Sequence, residues 1–229
     1  MGLAAIALVF AANQIRPLPF ATTDDNWLYF LPLIKAHTDA LLNGNNLVIL
    51  WQLGAGWSPY ESGQIGLYYP IYILSNLVSR LLGQPLALLE VSAAFHLWLA
   101  ALFTWHLAPL EDRGIERMGW SLISMVPAGP LMLGLNWHNY FSCYPWFLAI
   151  AFIIKNPLEN NGNRSSRILL LISSLFFYMT SHIQMYVIGI ILLALWALSD
   201  YGKLKTKLSI FWLFVCQIPI ALSVLFLKI

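Results

Sequence analysis

Charged residues are scarce in this sequence. Only 10% of the residues are Asp, Glu, Lys or Arg, whereas soluble domains carry about 25%. Hydrophobic residues make up 59% of the chain and its mean hydropathy is +0.71, which is more apolar surface than a water-soluble core can bury. The composition therefore predicts an all-α, polytopic membrane protein.

Other absences narrow the function. The chain has two cysteines, Cys143 and Cys216, both in apolar context, so neither a disulfide framework nor a cysteine metal site is expected. It contains no Gly-rich phosphate loop, no CxxC pair and no HExxH motif. A net charge of +2 without a basic patch excludes nucleic acid as an expected partner.

Apolar segments alternate with three basic loops. The positive-inside rule places loops 111–117, 155–167 and 200–207 in the cytoplasm, because each carries two or three Lys or Arg residues. The predicted spans are residues 2–15, 85–108, 118–135, 141–154, 168–181, 184–199 and 209–227. About seven transmembrane helices result, with residues 16–84 forming a long first extracytoplasmic loop. Residues 1–229 are expected to form one transmembrane domain, a fragment of a longer protein.

Two segments do not fit simple spans. Residues 67–82 are apolar but interrupted by Pro70, Asn76 and Arg80, which predicts a helix lying along the outer membrane surface. Alternatively this segment spans, and the first segment then starts outside or does not span. Residues 168–199 leave about 15 residues for each of two helices. At about 22 Å each they are shorter than the bilayer core, so the hairpin tip is expected below the outer surface.

Two adjacent aspartates, Asp24 and Asp25, precede an amphipathic pattern over residues 26–43. A Trp-bearing helix of this kind suits the membrane interface. Either aspartate, or Thr22 or Thr23, can cap this helix. One cap is enough, however, so the pair is also a candidate for catalysis or for binding a divalent cation.

The loop that follows is rich in glycine and aromatic residues and contains one acid, Glu61. Aromatic rings such as Trp57 and Tyr69 stack on sugars, although an interfacial aromatic belt gives the same pattern. Further candidates are polar residues predicted near the outer face, namely His138, His182, Glu90 and, for a lipid phosphate, Arg80. His96 and His106 lie deeper and are interpreted as packing residues.

The first loop resembles that of the GT-C membrane glycosyltransferases, especially the YfhO-like branch. The similarity is carried by Asp25, Tyr29, Pro32, Leu42, Gly44, Trp51, Gly54, Gly56, Tyr69 and Pro70, and by the motif SHIQMY at residues 181–186. One span, a long outer loop with interfacial helices and then short-looped spans is also the layout of that family. Many relatives continue beyond seven spans.

The resemblance implies a membrane glycosyltransferase of the bacterial inner membrane. Its donor would be a polyprenyl-phosphate-linked sugar, and its acceptor an extracytoplasmic glycan, lipid or protein. Asp25, and after it Asp24, would be the catalytic base or the ligand of a divalent cation such as Mg²⁺ or Mn²⁺. His138, His182, Glu61, Arg80, Tyr69 and Trp57 would bind substrate. A transporter or flippase, or a non-catalytic assembly subunit, are the alternatives.

The predicted topology places Ser62 outside and Ser165 inside the cell. In a variant lacking Cys143 and Cys216, we expect a membrane-impermeant maleimide to label Ser62→Cys in intact cells. It should label Ser165→Cys only after permeabilisation. Labelling of both positions from the same side would contradict the topology.

Overall fold

The structure is a computed structural model of the chain. It describes residues 1–15, 17–23, 25–45, 68–108, 114–125, 138–155, 164–181, 183–199 and 211–218. These residues are overwhelmingly helical and include no strand, so the all-α prediction is confirmed for the described part of the chain. The candidates Asp24, Trp57, Glu61 and His182 lie outside it.

The helices follow one another with short breaks. They are α1 (Gly2–Ile15), α2 (Leu31–Leu42), α3 (Pro70–Leu81), α4 (Leu88–Leu107), α5 (Gly114–Ser124), α6 (His138–Lys155), α7 (Arg164–Thr180), α8 (Ile183–Ser199) and α9 (211–218). A π-helical turn, Asn26–Phe30, leads into α2, and a 3₁₀ turn, Pro85–Ala87, leads into α4.

One helical segment is long and apolar enough to cross a membrane, judged by length and composition. It is Pro85–Leu107, with 23 residues and a mean hydropathy of 1.8. The apolar parts of α1, α7 and α8 are shorter. The predicted spans 118–135 and 209–227 are described only in part. Seven spans therefore stay a prediction.

Contacts at the helix ends define the relative directions of the central helices. α4 and α6 run parallel, because Ser92 bonds His138 at one end and Lys155 donates to the carbonyl of Leu107 at the other. α1 is antiparallel to α4, since Gly2 faces Trp98 while the chain after α1 reaches Glu90. These directions agree with the alternation predicted from the basic loops.

Several helices have polar groups inside and apolar groups outside. In α7, Ser173 and Ser174 are fully buried, whereas Leu169 and Ile172 are exposed. The outer face of α8 is likewise apolar, with Leu195 58% exposed. Soluble helices show the opposite arrangement, because their exposed face is polar. The described bundle therefore presents an extended apolar surface.

The predicted amphipathic helix over residues 26–43 appears as the π-helical turn followed by α2. Pro32 stands in the first turn of α2, where proline is tolerated. The helix ends at Asn43 because Gly44 adopts a positive φ of 74° and Asn45 donates back to the carbonyl of Ala40.

α3 covers the ambiguous segment 67–82 and packs side by side with α4 in the antiparallel sense. The Tyr69 hydroxyl, just before α3, bonds His96 in the third turn of α4. At the other end of α3, Val78 and Leu82 line the same cavity as Glu90, which is in the first turn of α4. α3 is therefore inclined into the bundle and does not lie flat across its end. Its angle to a membrane stays a prediction.

α8 approaches α7 closely at Gly189. A Cβ atom built on Gly189 would lie 2.6 Å from Cζ and 2.9 Å from Cε1 of Phe177, whose ring is buried. Phe177 in turn contacts Tyr186 and Phe147. The absence of a side chain at Gly189 therefore permits the α7–α8 packing.

We expect Gly189→Ala to destabilise the protein by about 1–3 kcal/mol, the usual range for overpacking a filled core. The matched control is Gly119→Ala in α5, where a Cβ atom meets nothing within 4 Å. There the loss of backbone freedom in the unfolded chain favours the helix by up to about 1 kcal/mol. Thermal unfolding in lipid nanodiscs measures both. Equal midpoints for the two variants would contradict the close approach.

Candidate functional site

Asp25 directly precedes the π-helical turn, but its side chain does not cap it. Its backbone is helical, with φ −61° and ψ −25°, and its carboxylate makes no capping hydrogen bond. The hydroxyls of Thr22 and Thr23 donate to the carbonyls of Leu18 and Pro19, in the turn that precedes them. Capping is thus wrong as an explanation of Asp25.

Asn26, the next residue, connects this turn to α6. Its Oδ1 accepts a hydrogen bond of 2.6 Å from the backbone N–H of His138, the first residue of α6. That N–H has no acceptor within its own helix, so Asn26 supplies the missing partner from 112 residues away. Since consecutive Cα atoms are about 3.8 Å apart, the Cα of Asp25 lies within about 10 Å of this nitrogen.

Glu90 fixes the same segment from the opposite side. Its Oε1 accepts hydrogen bonds of 3.0 Å from the backbone N–H groups of both Phe20 and Ala21. Glu90 is only 4% exposed, and its Oε2 has no partner among the described residues. The Phe20 ring also packs edge-on against Phe141 at 5.1 Å. The chain around Asp25 is therefore held between α4 and α6.

Below this segment lies a buried polar core made of Tyr69, Ser92, His96, His138 and Trp146. His138 Nε2 lies 2.8 Å from Ser92 Oγ, which lies 3.2 Å from His96 Nδ1. His96 Nε2 lies 2.9 Å from the Tyr69 hydroxyl, which accepts a 2.6 Å bond from Trp146 Nε1. This continuous chain joins α4 and α6 with the residue preceding α3.

The structure places two predicted binding residues elsewhere. The ring of Tyr69 is packed against other aromatic rings and its hydroxyl is bonded to His96 and Trp146, so it is unavailable for stacking on a sugar. Arg80 donates to Asp39 at 2.6 Å, and Asp39 also accepts from Lys35 at 2.5 Å and from Asn76 at 2.6 Å. The guanidinium of Arg80 thus joins α3 to α2. Neither residue was expected to form these contacts.

Asp25, His138 and His182 were all expected near the outer face, where they could surround one cavity. The bond from Asn26 brings the backbone of Asp25 near the backbone of His138, and His182 lies outside the described residues, so a shared site stays a prediction. The rings of Trp146 and Phe176 are 4.8 Å apart in antiparallel helices. Ser181, which precedes His182, comes five residues after Phe176. Because the two helices are antiparallel, it lies near the level of the first turn of α6, which comes a similar number of residues before Trp146.

A cavity of about 370 Å³ opens between α1, α3 and α4. Its walls are apolar, with Ile6 and Val9 from α1 and Ala94 and Trp98 from α4. Glu90 is the charged residue among the described lining residues. A cavity of this size and character suits an apolar chain or ring system.

A cation site is not formed by the described residues, which contain no group of three or more His, Cys, Asp or Glu side chains placed to bind a metal.

Compared with known proteins, the chain matches no protein-family model, no curated protein and no solved structure.

Sequence reasoning missed Asn26, Ser92 and the role of His96. His96 did carry a signal, because an ionisable side chain inside an apolar helix requires a buried partner. Asn26 and Ser92 carried none, since asparagine and serine occur at every helix end.

The pKa of Asp39 predicts a pH dependence of stability. Partial burial acts to raise this pKa, but hydrogen bonds from Asn76, Lys35 and Arg80, with the charge of Lys35, outweigh it and hold the pKa below its ordinary value. A carboxyl whose pKa is lowered on folding stabilises the fold above its unfolded pKa, about 3.9. This stabilisation is lost as the pH falls through the folded pKa.

We therefore expect Asp39→Asn to lower the free energy of unfolding at pH 7 by up to about 1 kcal/mol, since the ion pair is partly exposed. The difference from wild type should shrink and vanish as the pH falls through the lowered pKa of Asp39 in the folded protein. Unfolding midpoints from pH 2 to pH 8 measure it, and a double-mutant cycle with Arg80→Gln isolates the pair. A constant difference at all pH values would contradict this role.

Proposed function

We propose that this chain is the transmembrane part of a GT-C-like glycosyltransferase. It would move a sugar from a polyprenyl-phosphate donor to an extracytoplasmic glycan, lipid or protein acceptor in the bacterial inner membrane. The observation that carries the proposal is the position of Asp25. It lies on a segment tethered to α4 by Glu90 and to α6 by Asn26, at one end of the bundle. A rigid support of this kind is what a catalytic group requires.

A polytopic arrangement is supported by the surface of the bundle. The outward faces of α7 and α8 are apolar, while the inward face of α7 carries Ser173 and Ser174. The helix directions agree with the alternation of the basic loops. Under this arrangement, Asp25 and His138 lie at the extracytoplasmic end, where a lipid-linked donor is consumed.

The chemistry requires one base. Asp25 would accept the proton of the acceptor hydroxyl as its oxygen forms a bond to the anomeric carbon. The bond from that carbon to the phosphate breaks, and polyprenyl phosphate leaves with the bonding electrons, so the anomeric configuration inverts. Asp24 is the candidate to share a divalent cation with Asp25. No step is routed through a metal, since the described residues do not form a site for one.

The apolar cavity supports a lipid-linked donor. It lies between α1, α3 and α4, and Glu90, which lines it, also holds the backbone of the Asp25 segment. The first isoprene units of a donor would lie in this cavity while its head group remained near Asp25. The arrangement separates the apolar and reacting parts of the substrate.

A transporter or flippase for a lipid-linked or small substrate is the second candidate. It is favoured by Glu90 and His96, which are buried within the segment apolar enough to cross a membrane. The two functions differ in product. A flippase moves the intact donor across a vesicle bilayer, whereas a transferase splits it.

The direct test uses the full-length protein in membranes with radiolabelled undecaprenyl-phosphate hexoses and pentoses. We expect wild type to move label out of the lipid fraction, and Asp25→Asn to reduce the rate by 10²–10⁴-fold, the usual contribution of a general base. The amide is of similar size to the carboxylate, so thermal stability should change little.

Asp39→Asn is the matched control, because Asp39 lies on the next helix and pairs with Arg80. It should lower stability while leaving the transfer rate within about twofold. Full transfer by Asp25→Asn would refute the proposed base. Intact donor appearing in the opposite leaflet, without loss of label from lipid, would establish the flippase instead.

A further inference from the structure

The buried polar core determines which nitrogen of His96 carries hydrogen. Nδ1 of His96 lies 2.6 Å from the carbonyl oxygen of Ser92. A carbonyl oxygen accepts only, so Nδ1 must carry the hydrogen. In a neutral ring Nε2 is then bare, and it accepts from the Tyr69 hydroxyl at 2.9 Å. This fits Tyr69, whose oxygen already accepts from Trp146 and whose own hydrogen needs an acceptor.

Through the Ser92 hydroxyl, the hydrogen position on His96 also determines which nitrogen of His138 carries hydrogen. The Ser92 hydroxyl lies on the donor side of His96, with Oγ 3.2 Å from Nδ1, so it cannot donate there. Its remaining neighbour among the described groups is Nε2 of His138 at 2.8 Å. Ser92 therefore donates to Nε2 of His138. Neutral His138 must then carry its hydrogen on Nδ1.

The Nδ1–H group of His138 is left without an acceptor among the described residues. His138 is fully buried, and its Nδ1 has no hydrogen-bond partner. A buried donor of this kind favours any ligand that supplies an oxygen. His138 is also the first residue of the 18-residue helix α6, whose N-terminal end favours negative charge.

We propose that Nδ1–H of His138 donates a hydrogen bond to a phosphate oxygen of the lipid-linked donor. Tyr69, His96 and Ser92 are positioning residues that fix the His138 tautomer. The choice of phosphate rests on the proposed function, and the tautomer rests on the hydrogen bonds alone. The subsite lies beside Asp25 because Asn26 accepts from the backbone N–H of the same histidine.

The tautomer is tested by ¹⁵N NMR of the full-length protein with labelled histidine in lipid nanodiscs, using His138→Gln to assign the signals. We expect a protonated Nδ1 and a bare Nε2 for His138. Ser92→Ala removes the hydroxyl donor, so the two tautomers should mix. A protonated Nε2 in wild type would overturn the proposal.

Ser142→Ala is the matched control for Ser92→Ala. Ser142 is equally buried and lies one turn after His138 in α6. It bonds Tyr72 at 2.7 Å and donates to the backbone carbonyl of His138 at 3.3 Å, but it makes no bond to the His138 ring. This variant should therefore leave the His138 tautomer unchanged. His96→Phe, which removes the Nδ1–H group beside the Ser92 hydroxyl, is the second test should Ser92→Ala fail to fold. If neither His96→Phe nor Ser92→Ala shifts the His138 tautomer, the role of these residues is refuted.

Ligand binding is tested by titrating decyl phosphate and, in parallel, decanol. We expect decyl phosphate to shift the Nδ1–H signal of His138, decanol to leave it unchanged, and Ser92→Ala to weaken decyl phosphate binding at least fivefold. No shift with decyl phosphate overturns the phosphate assignment. If the shift occurs but Asp25→Asn still transfers sugar, the phosphate subsite is supported and Asp25 is refuted as the base. If Asp25→Asn is inactive and no shift occurs, only the subsite fails.

Discussion

Burying a polar group between these helices is costly unless it finds a partner, and the bonds that several buried groups form with remote parts of the chain shape the described structure. The surrounding side chains are apolar and offer no acceptors, so an unpaired donor or acceptor is costly. Glu90 accepts two backbone N–H groups, and Asn26 accepts the first N–H of α6. All three bonds join segments remote in sequence, and together they fix where Asp25 lies.

The cost of burying polar groups also explains why the neutral and the charged clusters lie in different places. The core around His96 and His138 is built from groups that can remain neutral, because isolated charges are expensive in an apolar interior. The charged cluster lies at the α2–α3 contact, where Asp39 and Arg80 keep about a quarter to a third of their side-chain surface exposed. Charge is thus kept where solvent can stabilise it.

The helices were largely predictable, and the site was predictable only in part. Local signals set the helix bounds: Pro70 begins α3, Gly44 follows α2, and the polar break after Thr180 separates α7 from α8. These signals act within a few residues and are visible in one sequence. The inclination of α3 was not visible, because it depends on Tyr69 reaching a histidine on another helix.

The site shows why residue type alone misleads. Arg80 and Asp39 have complementary charges, yet nothing local shows that they meet across 41 residues. His96 was interpreted as packing because its neighbours are apolar, but burying an imidazole is costly when its nitrogens are unpaired. The bonds of His96 to Ser92 and Tyr69 offset this cost. Because each ring nitrogen has a fixed role, this pairing continues along the chain of hydrogen bonds and sets the hydrogen on His138, close to Asp25. The buried His96 thereby determines which nitrogen of His138 can donate a hydrogen bond at the end of the bundle.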